Sequence, residues 1–356
     1  KRFKSGFSPW LYGLCSRIMG CGASAPPPTS PGYKGHTPLS KAVASNDVKS
    51  VKDLIAARSD VNELPKGTMA TSLLLAAADD KLETLKALVE ARADVNKACN
   101  FDIRPIWECA NTGQVKAAQI LVEAKADVNL EGKKTTALLV ATRNDKSLEL
   151  TKMLIEARAN INFESDEGQT PVINAALVGN KEIVHSLLEL KADISAPKNF
   201  VIAAHQFATY ASKAHPDCKD ILRMLLDAKA DPNYQKAEGK DIALPSLHLI
   251  ASGNGDVEMI GPLIEAKADI NIELHNAPGF TPLHTAANAG NVDVIKVLVD
   301  ARADLGVKTA DEGATPLDVA SKIHQTKVVE YLESIKAPSG VPRQQSDTQA
   351  ASTHDK

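Results

Sequence analysis

Leucine recurs along this chain at positions 54, 88, 121, 154, 187, 225, 263 and 298, and a second aliphatic residue follows each one: Ile55, Val89, Val122, Ile155, Leu188, Leu226, Ile264 and Val299. Six residues beyond each leucine an Asp or Asn anchors a short polar phrase, as in Ala301-Arg302-Ala303-Asp304 or Ala266-Lys267-Ala268-Asp269-Ile270-Asn271. The anchors are Asp60, Asp94, Asp127, Asn160, Asp193, Asp231, Asp269 and Asp304, spaced by 34, 33, 33, 33, 38, 38 and 35 residues. A period of this size sustained along a chain predicts a stacked repeat. Within the first unit Leu39, Ala42 and Val43 share one face of a short helix, Asn46-Asp47 breaks it, and Val48, Val51, Leu54 and Ile55 follow the spacing of a second helix. Pro38 suits the first helical position and Thr37 the cap before it. The unit is therefore helix–turn–helix–loop, and the fold class is an all-α solenoid. One fully buried aliphatic contributes roughly 1.5–3 kcal/mol, while ordering the backbone costs roughly 1–2 kcal/mol per residue. A lone unit does not meet that cost from its own few aliphatics, so the layers have to stack.

The openings of the units are as regular as their ends. Thr281-Pro282-Leu283-His284-Thr285-Ala286-Ala287 is followed by Gly290-Asn291, and Thr170-Pro171-Val172 and Thr315-Pro316-Leu317 repeat its start. On these residues the chain resembles the ankyrin repeat family, with its T-P-L-H-x-A-A opening, Gly-containing turn, paired aliphatics and G-A-D-V-N close. The resemblance covers roughly residues 36–336, about nine units. It implies an ankyrin-repeat solenoid with short hairpin loops between layers. It also implies a non-catalytic scaffold or adaptor, without cofactor, that binds a protein partner through its concave face and fingertips. The fingertips are Glu63 to Gly67, Lys97 to Asp102, Leu130 to Lys134, Phe163 to Gly168, Tyr234 to Asp241 and Ile272 to Phe280. Phe101, Tyr234 and Phe280 are candidate aromatic anchors, with Asp102, Lys133 and Phe163 as further contact candidates. Each aromatic can equally close its own loop. His248 and His284 fall in the opening slot, where the family's side chain is a hydrogen-bonding group between layers.

Several features depart from the family. Where a glycine commonly follows the second helix, this chain has Arg58, Arg92, Lys125, Arg158, Lys191, Lys229, Lys267 and Arg302. Acidic residues stand two positions earlier in seven of these units, so the row reads as a neutralised, solvated ridge rather than a basic binding stripe. Trp107 takes a slot where histidine is usual and reads as layer filling. Gly261-Pro262 falls inside a second helix, which predicts a kink and the weakest stretch of the array. The turn between the sixth and seventh units is then the expected bend.

Composition and charge narrow the function further. A net charge of −3 does not suit a nucleic-acid binder. Five scattered cysteines without a CxxC pair indicate neither a disulfide framework nor a zinc site. His205, His215 and Cys218 are a conceivable but unsupported metal set. No phosphate-binding glycine loop, HExxH or GxSxG motif is present. The expected state is a cytoplasmic monomer. Residues 1–35 read as a basic, proline-rich arm, 36–336 as the repeat array, and 337–356 as a disordered tail. The first methionine opens Met19-Gly20-Cys21-Gly22-Ala23-Ser24. If translation begins there, Gly20 fits N-myristoylation and Cys21 a second acyl chain, which makes the protein a membrane-tethered adaptor. Otherwise the array is a soluble scaffold, or the regulatory part of a larger enzyme whose catalytic domain lies outside this chain.

Overall fold

The computed structural model describes residues 37–64, 70–143, 148–166, 168–195, 217–238, 241–253 and 256–340. The chain divides into two compact units, Lys1–Ala230 and Asp231–Lys356, and the boundary falls directly before the sixth of the anchors. In the first unit helix pairs stack in chain order: α1 (Pro38–Ala44) with α2 (Val48–Ala56), α3 (Ser72–Ala78) with α4 (Leu82–Glu90), and α5 (Pro105–Thr112) with α6 (Val115–Glu123). Next come α7 (Ala137–Ala141) with α8 (Leu148–Glu156), and α9 (Pro171–Leu177) with α10 (Lys181–Glu189). Helix α11 (Cys218–Asp227) closes the sixth repeat. The second unit starts with a hairpin of β1 (Lys236–Glu238) and β2 (Asp241–Ala243), with Lys236 opposite Ala243. Its helices are α12 (Ser246–Ala251), a 3-10 turn (Val257–Met259) leading into α13 (Ile260–Glu265), α14 (Pro282–Ala289), α15 (Val292–Asp300), α16 (Pro316–Lys322) and α17 (Thr326–Ser334).

Local chemistry explains where these helices begin and end. The side chains of Thr37, Thr71, Thr136 and Thr170 each accept a backbone N–H three residues on, satisfying a donor that the helix start leaves open. At the other end every one of the eight expected basic residues is left-handed, with φ between 59° and 73°. Each closes a Schellman motif: Arg92 N–H donates to the Val89 carbonyl and Ala93 N–H to the Leu88 carbonyl. Leu88 and Ala93 are both buried, so the recurrent leucine and alanine form the apolar contact of the motif itself.

The leucine row is the core of the layers. Leu88, Leu121, Leu154, Leu187, Leu225, Leu263 and Leu298 are fully buried, whereas Leu54 in the first layer is only half-buried. The aliphatic row that follows it is a shoulder. Only Leu226 is buried there, and Ile55, Val89, Val122, Ile155, Leu188, Ile264 and Val299 are half-buried, because one residue further along a helix points about 100° away.

Each anchor carboxylate or amide accepts the N–H two residues on, as in Asp60 from Asn62 at 2.9 Å and Asp127 from Asn129 at 2.9 Å. The asparagines then join successive layers. Asn62 Oδ1 accepts Asp94 N–H, Asn96 accepts Asp127 N–H, Asn129 accepts Asn160 N–H and Asn162 accepts Asp193 N–H, at 2.7, 2.9, 2.6 and 2.8 Å. In the second unit Asn233 and Asn271 serve Asp269 and Asp304 in the same way, at 2.7 and 2.9 Å.

The kink expected at Gly261-Pro262 takes another form. The helix changes from 3-10 to α at Met259/Ile260, and Pro262 falls third in the α segment. The proline therefore lies in the first turn of the α segment, where it interrupts fewer intrahelical bonds than it would further along.

Candidate functional site

The tips of the third and fourth repeats are locked to each other. After the anchor Asp127 the chain turns back at Gly132-Lys133-Lys134-Thr135, where Gly132 and Thr135 pair across a two-residue turn. Lys133 and Lys134 both have positive φ, 50° and 61°, which defines a turn normally built from Asn and Gly. A left-handed residue with a side chain costs about 1–2 kcal/mol, so this pair of lysines is held by its surroundings. Lys133 N–H donates to both the carbonyl oxygen and the carboxylate of Asp102, at 3.1 and 3.2 Å. Asp102 is itself left-handed, with φ 56°. Only glycine fits at 132, since a Cβ there would stand 2.8 Å from the Asp102 carbonyl oxygen.

Beneath this turn lies Trp107, on α5, almost fully buried. Its indole N–H donates to the Thr135 hydroxyl at 2.8 Å, and Lys133 Nζ sits 5.4 Å from the ring centroid. Arg104 crosses between the tips, donating to the Glu131 and Asn96 carbonyl oxygens, both at 2.7 Å. Beside Trp107, burial pushes the Glu108 carboxyl above the usual carboxylate range, while Asn111 and the charge of Lys133 pull it down. Phe101, at the end of the third tip, is 48% exposed.

Phe101, Asp102 and Lys133 thus share one pad at the joined tips, with Phe101 next in sequence to Asp102. The other candidates take no part in these contacts. Phe163 is half-buried, in the loop after Asn160. Tyr234 is half-buried at the start of the second unit. Phe280 packs against Leu244, Leu249 and Leu274, with its ring 5.3 Å from His284, and so closes its own loop. Gly20, Cys21, His205 and His215 lie outside the described residues.

A family profile for ankyrin repeats, in three copies, matches residues 39–132, 73–164, 106–198, 138–236 and 247–338. The chain belongs to the ankyrin repeat family. The crystal structure of the human ASB11 ankyrin repeat domain is similar at 21% identity with a TM-score of 0.41, over 85% of this chain and 99% of that one. No curated protein matches. Ankyrin repeats are in general protein-interaction modules, and their fold is typically non-catalytic.

The buried histidines of this ankyrin array bond within and between layers. His284 Nδ1 accepts the Thr281 N–H at 3.2 Å, and its Nε2 donates to the Ala314 carbonyl at 3.1 Å. His248 Nε2 donates to the Ile272 carbonyl at 3.0 Å, and its Nδ1 accepts from the Thr285 hydroxyl at 2.7 Å. Burial holds both imidazoles neutral, that of His248 with a pKa of about 4. Burial pushes the thiols of Cys109 and Cys218 up, the latter to about 12, far from a reactive thiolate. Among the described residues no group of three or more His, Cys, Asp or Glu side chains could hold a metal ion. No described helix is long and apolar enough to cross a membrane. Sequence reasoning missed the Arg104 and Trp107 interlock. Its only linear signal is the departure of Arg104-Pro105-Ile106-Trp107 from the usual opening.

Proposed function

We propose that this chain is a non-catalytic recognition module that holds a protein partner on the tips of its third and fourth repeats, with Phe101 as the apolar anchor and Lys133 as the cation beside it. The exposed ring of Phe101 carries the reading, because the backbone beneath it is already fixed by Arg104, Asp102 and Gly132. A preformed support removes part of the ordering cost of association, and truncating an anchoring aromatic typically costs about 2 kcal/mol or more of binding. The fitting partner places an apolar side chain on Phe101 and a carboxylate within reach of Lys133, and the array acts as a monomer.

A photo-crosslinker at position 100 should capture one defined protein from cells. Phe101→Ala and Lys133→Glu should each abolish its capture while leaving the thermal unfolding of the array unchanged. Capture that persists in both variants removes this pad from the binding surface.

A second reading rests on Met19-Gly20-Cys21-Gly22-Ala23-Ser24. The same module is then tethered to a membrane, one acyl chain on Gly20 giving marginal attachment and a second on Cys21 making it stable. Mass spectrometry of the native N-terminal peptide decides it. A peptide starting at an acylated Gly20 supports the tether, and one extending through Lys1 ends it.

A further inference from the structure

In repeats two to five, seven and eight an asparagine reaches forward to the next layer, and in repeats seven and eight the opening histidine does so too. The ninth repeat has neither residue. Gly306 stands at the asparagine position and Asp318 at the histidine position. The exchange at 318 reverses the polarity of the edge. His248 and His284 offer an N–H to a carbonyl oxygen of the following tip, whereas an ionised Asp318 offers only acceptors.

The residues after α17 supply the matching donors. Gly340 N–H donates to Asp318 Oδ2 at 2.7 Å and the Ser339 hydroxyl to Oδ1 at 2.5 Å. Thr315 completes the set with its own N–H and hydroxyl, at 2.9 and 2.7 Å. Partial burial works against the charge on Asp318, but hydrogen bonds from Ser339, Thr315 and Gly340 outweigh it and hold the carboxyl below its usual value.

The backbone approach is that of one tip upon another. A Cβ on Gly340 would stand 2.4 Å from the Gly313 carbonyl oxygen. The corresponding approach is 2.8 Å for Gly132 to the Asp102 oxygen and 2.2 Å for Gly279 to the Lys308 oxygen. Pro338 meanwhile lies over Gly306, where a Cβ would come 3.5 Å from its Cγ. Two substitutions confined to the ninth repeat, the close approach of Gly340 and the contact of Pro338 with Gly306 therefore mark the same place.

We propose that the forward edge of the ninth repeat is a docking site for an extended Pro-Ser-Gly segment, filled by the chain's own residues 338–340 and held by Asp318, so that the segment takes the place of a tenth tip and caps the array. While it is docked, no further layer stacks on the ninth repeat.

Amide hydrogen exchange of the full chain, read at position 340, tests this. In the wild-type protein the Gly340 amide should exchange at least about tenfold more slowly than an unstructured one. Gly340→Ala drives a methyl group into the Gly313 carbonyl and should bring that amide to the unstructured rate, with the amides of α16 and α17 still protected. Asp318→His sets N–H against N–H and should do the same at position 340. A wild-type Gly340 amide that exchanges freely, or one that stays protected in both variants, overturns the proposal.

Discussion

A lysine or arginine in the left-handed position is a strained way to end a helix, yet this chain does so at Arg58, Arg92, Lys125, Arg158, Lys191, Lys229, Lys267 and Arg302. Glycine would relieve about 1 kcal/mol at each site, while the cation regains about 0.3–1 kcal/mol from the helix dipole. Arg92→Gly and Lys125→Gly should therefore each raise the stability of the array by up to about 1 kcal/mol in urea denaturation. A loss instead would mean that the dipole and the flanking acids outweigh the strain. The basic row was legible in the sequence because every copy repeats it in register. The difference between Phe101 and Phe280 was not. Both sit on tips, but Phe280 meets Leu244, Leu249 and Leu274, whereas Phe101 is left half in solvent.

At the scale of the element, successive layers are joined by bonds between loops as well as by helix packing. Asn129 accepts the Asn160 N–H at 2.6 Å and donates to the Arg158 carbonyl at 3.1 Å. Asn129→Ala leaves both exposed groups to water and should cost about 0.5–1.5 kcal/mol, measured by urea unfolding. Gly132→Ala should cost a similar amount, about 1–3 kcal/mol, because its Cβ meets backbone rather than a movable side chain. It should also free the third tip, seen as faster amide exchange at Lys133. If exchange there is unchanged, the two tips are not locked through this contact. The sequence showed the asparagines as a period. It did not show that each serves the following layer, since that bond spans 31 to 36 residues.

At the scale of the whole molecule the two units should differ in their response to acid. His248 and His284 are both buried in Asp231–Lys356. In Lys1–Ala230 the one described histidine, His185, is exposed. For His248 the folded pKa lies below the ordinary 6.5, at about 4. Its contribution is therefore complete above pH 6.5. As pH falls the unfolded chain binds a proton that the folded one refuses, and stability drops until pH reaches about 4. At about 1.4 kcal/mol per pH unit that loss is roughly 3 kcal/mol, and His284 shifts in the same direction. Repeats seven to nine should consequently lose amide protection between pH 7 and pH 5 before repeats one to five do. A uniform loss across both units would show that the histidines do not govern it.

The sequence by itself determined the period, the helix pairs and the family, because each follows from residues within a few positions of one another and recurs along the chain. Only the tertiary structure decided which tips join, which aromatic remains exposed, that the second aliphatic row is a shoulder rather than a core, and that residues 338–340 return to Asp318. Those outcomes depend on contacts between layers, where a side chain meets residues far away in sequence and its burial is set by what the neighbouring layer presents.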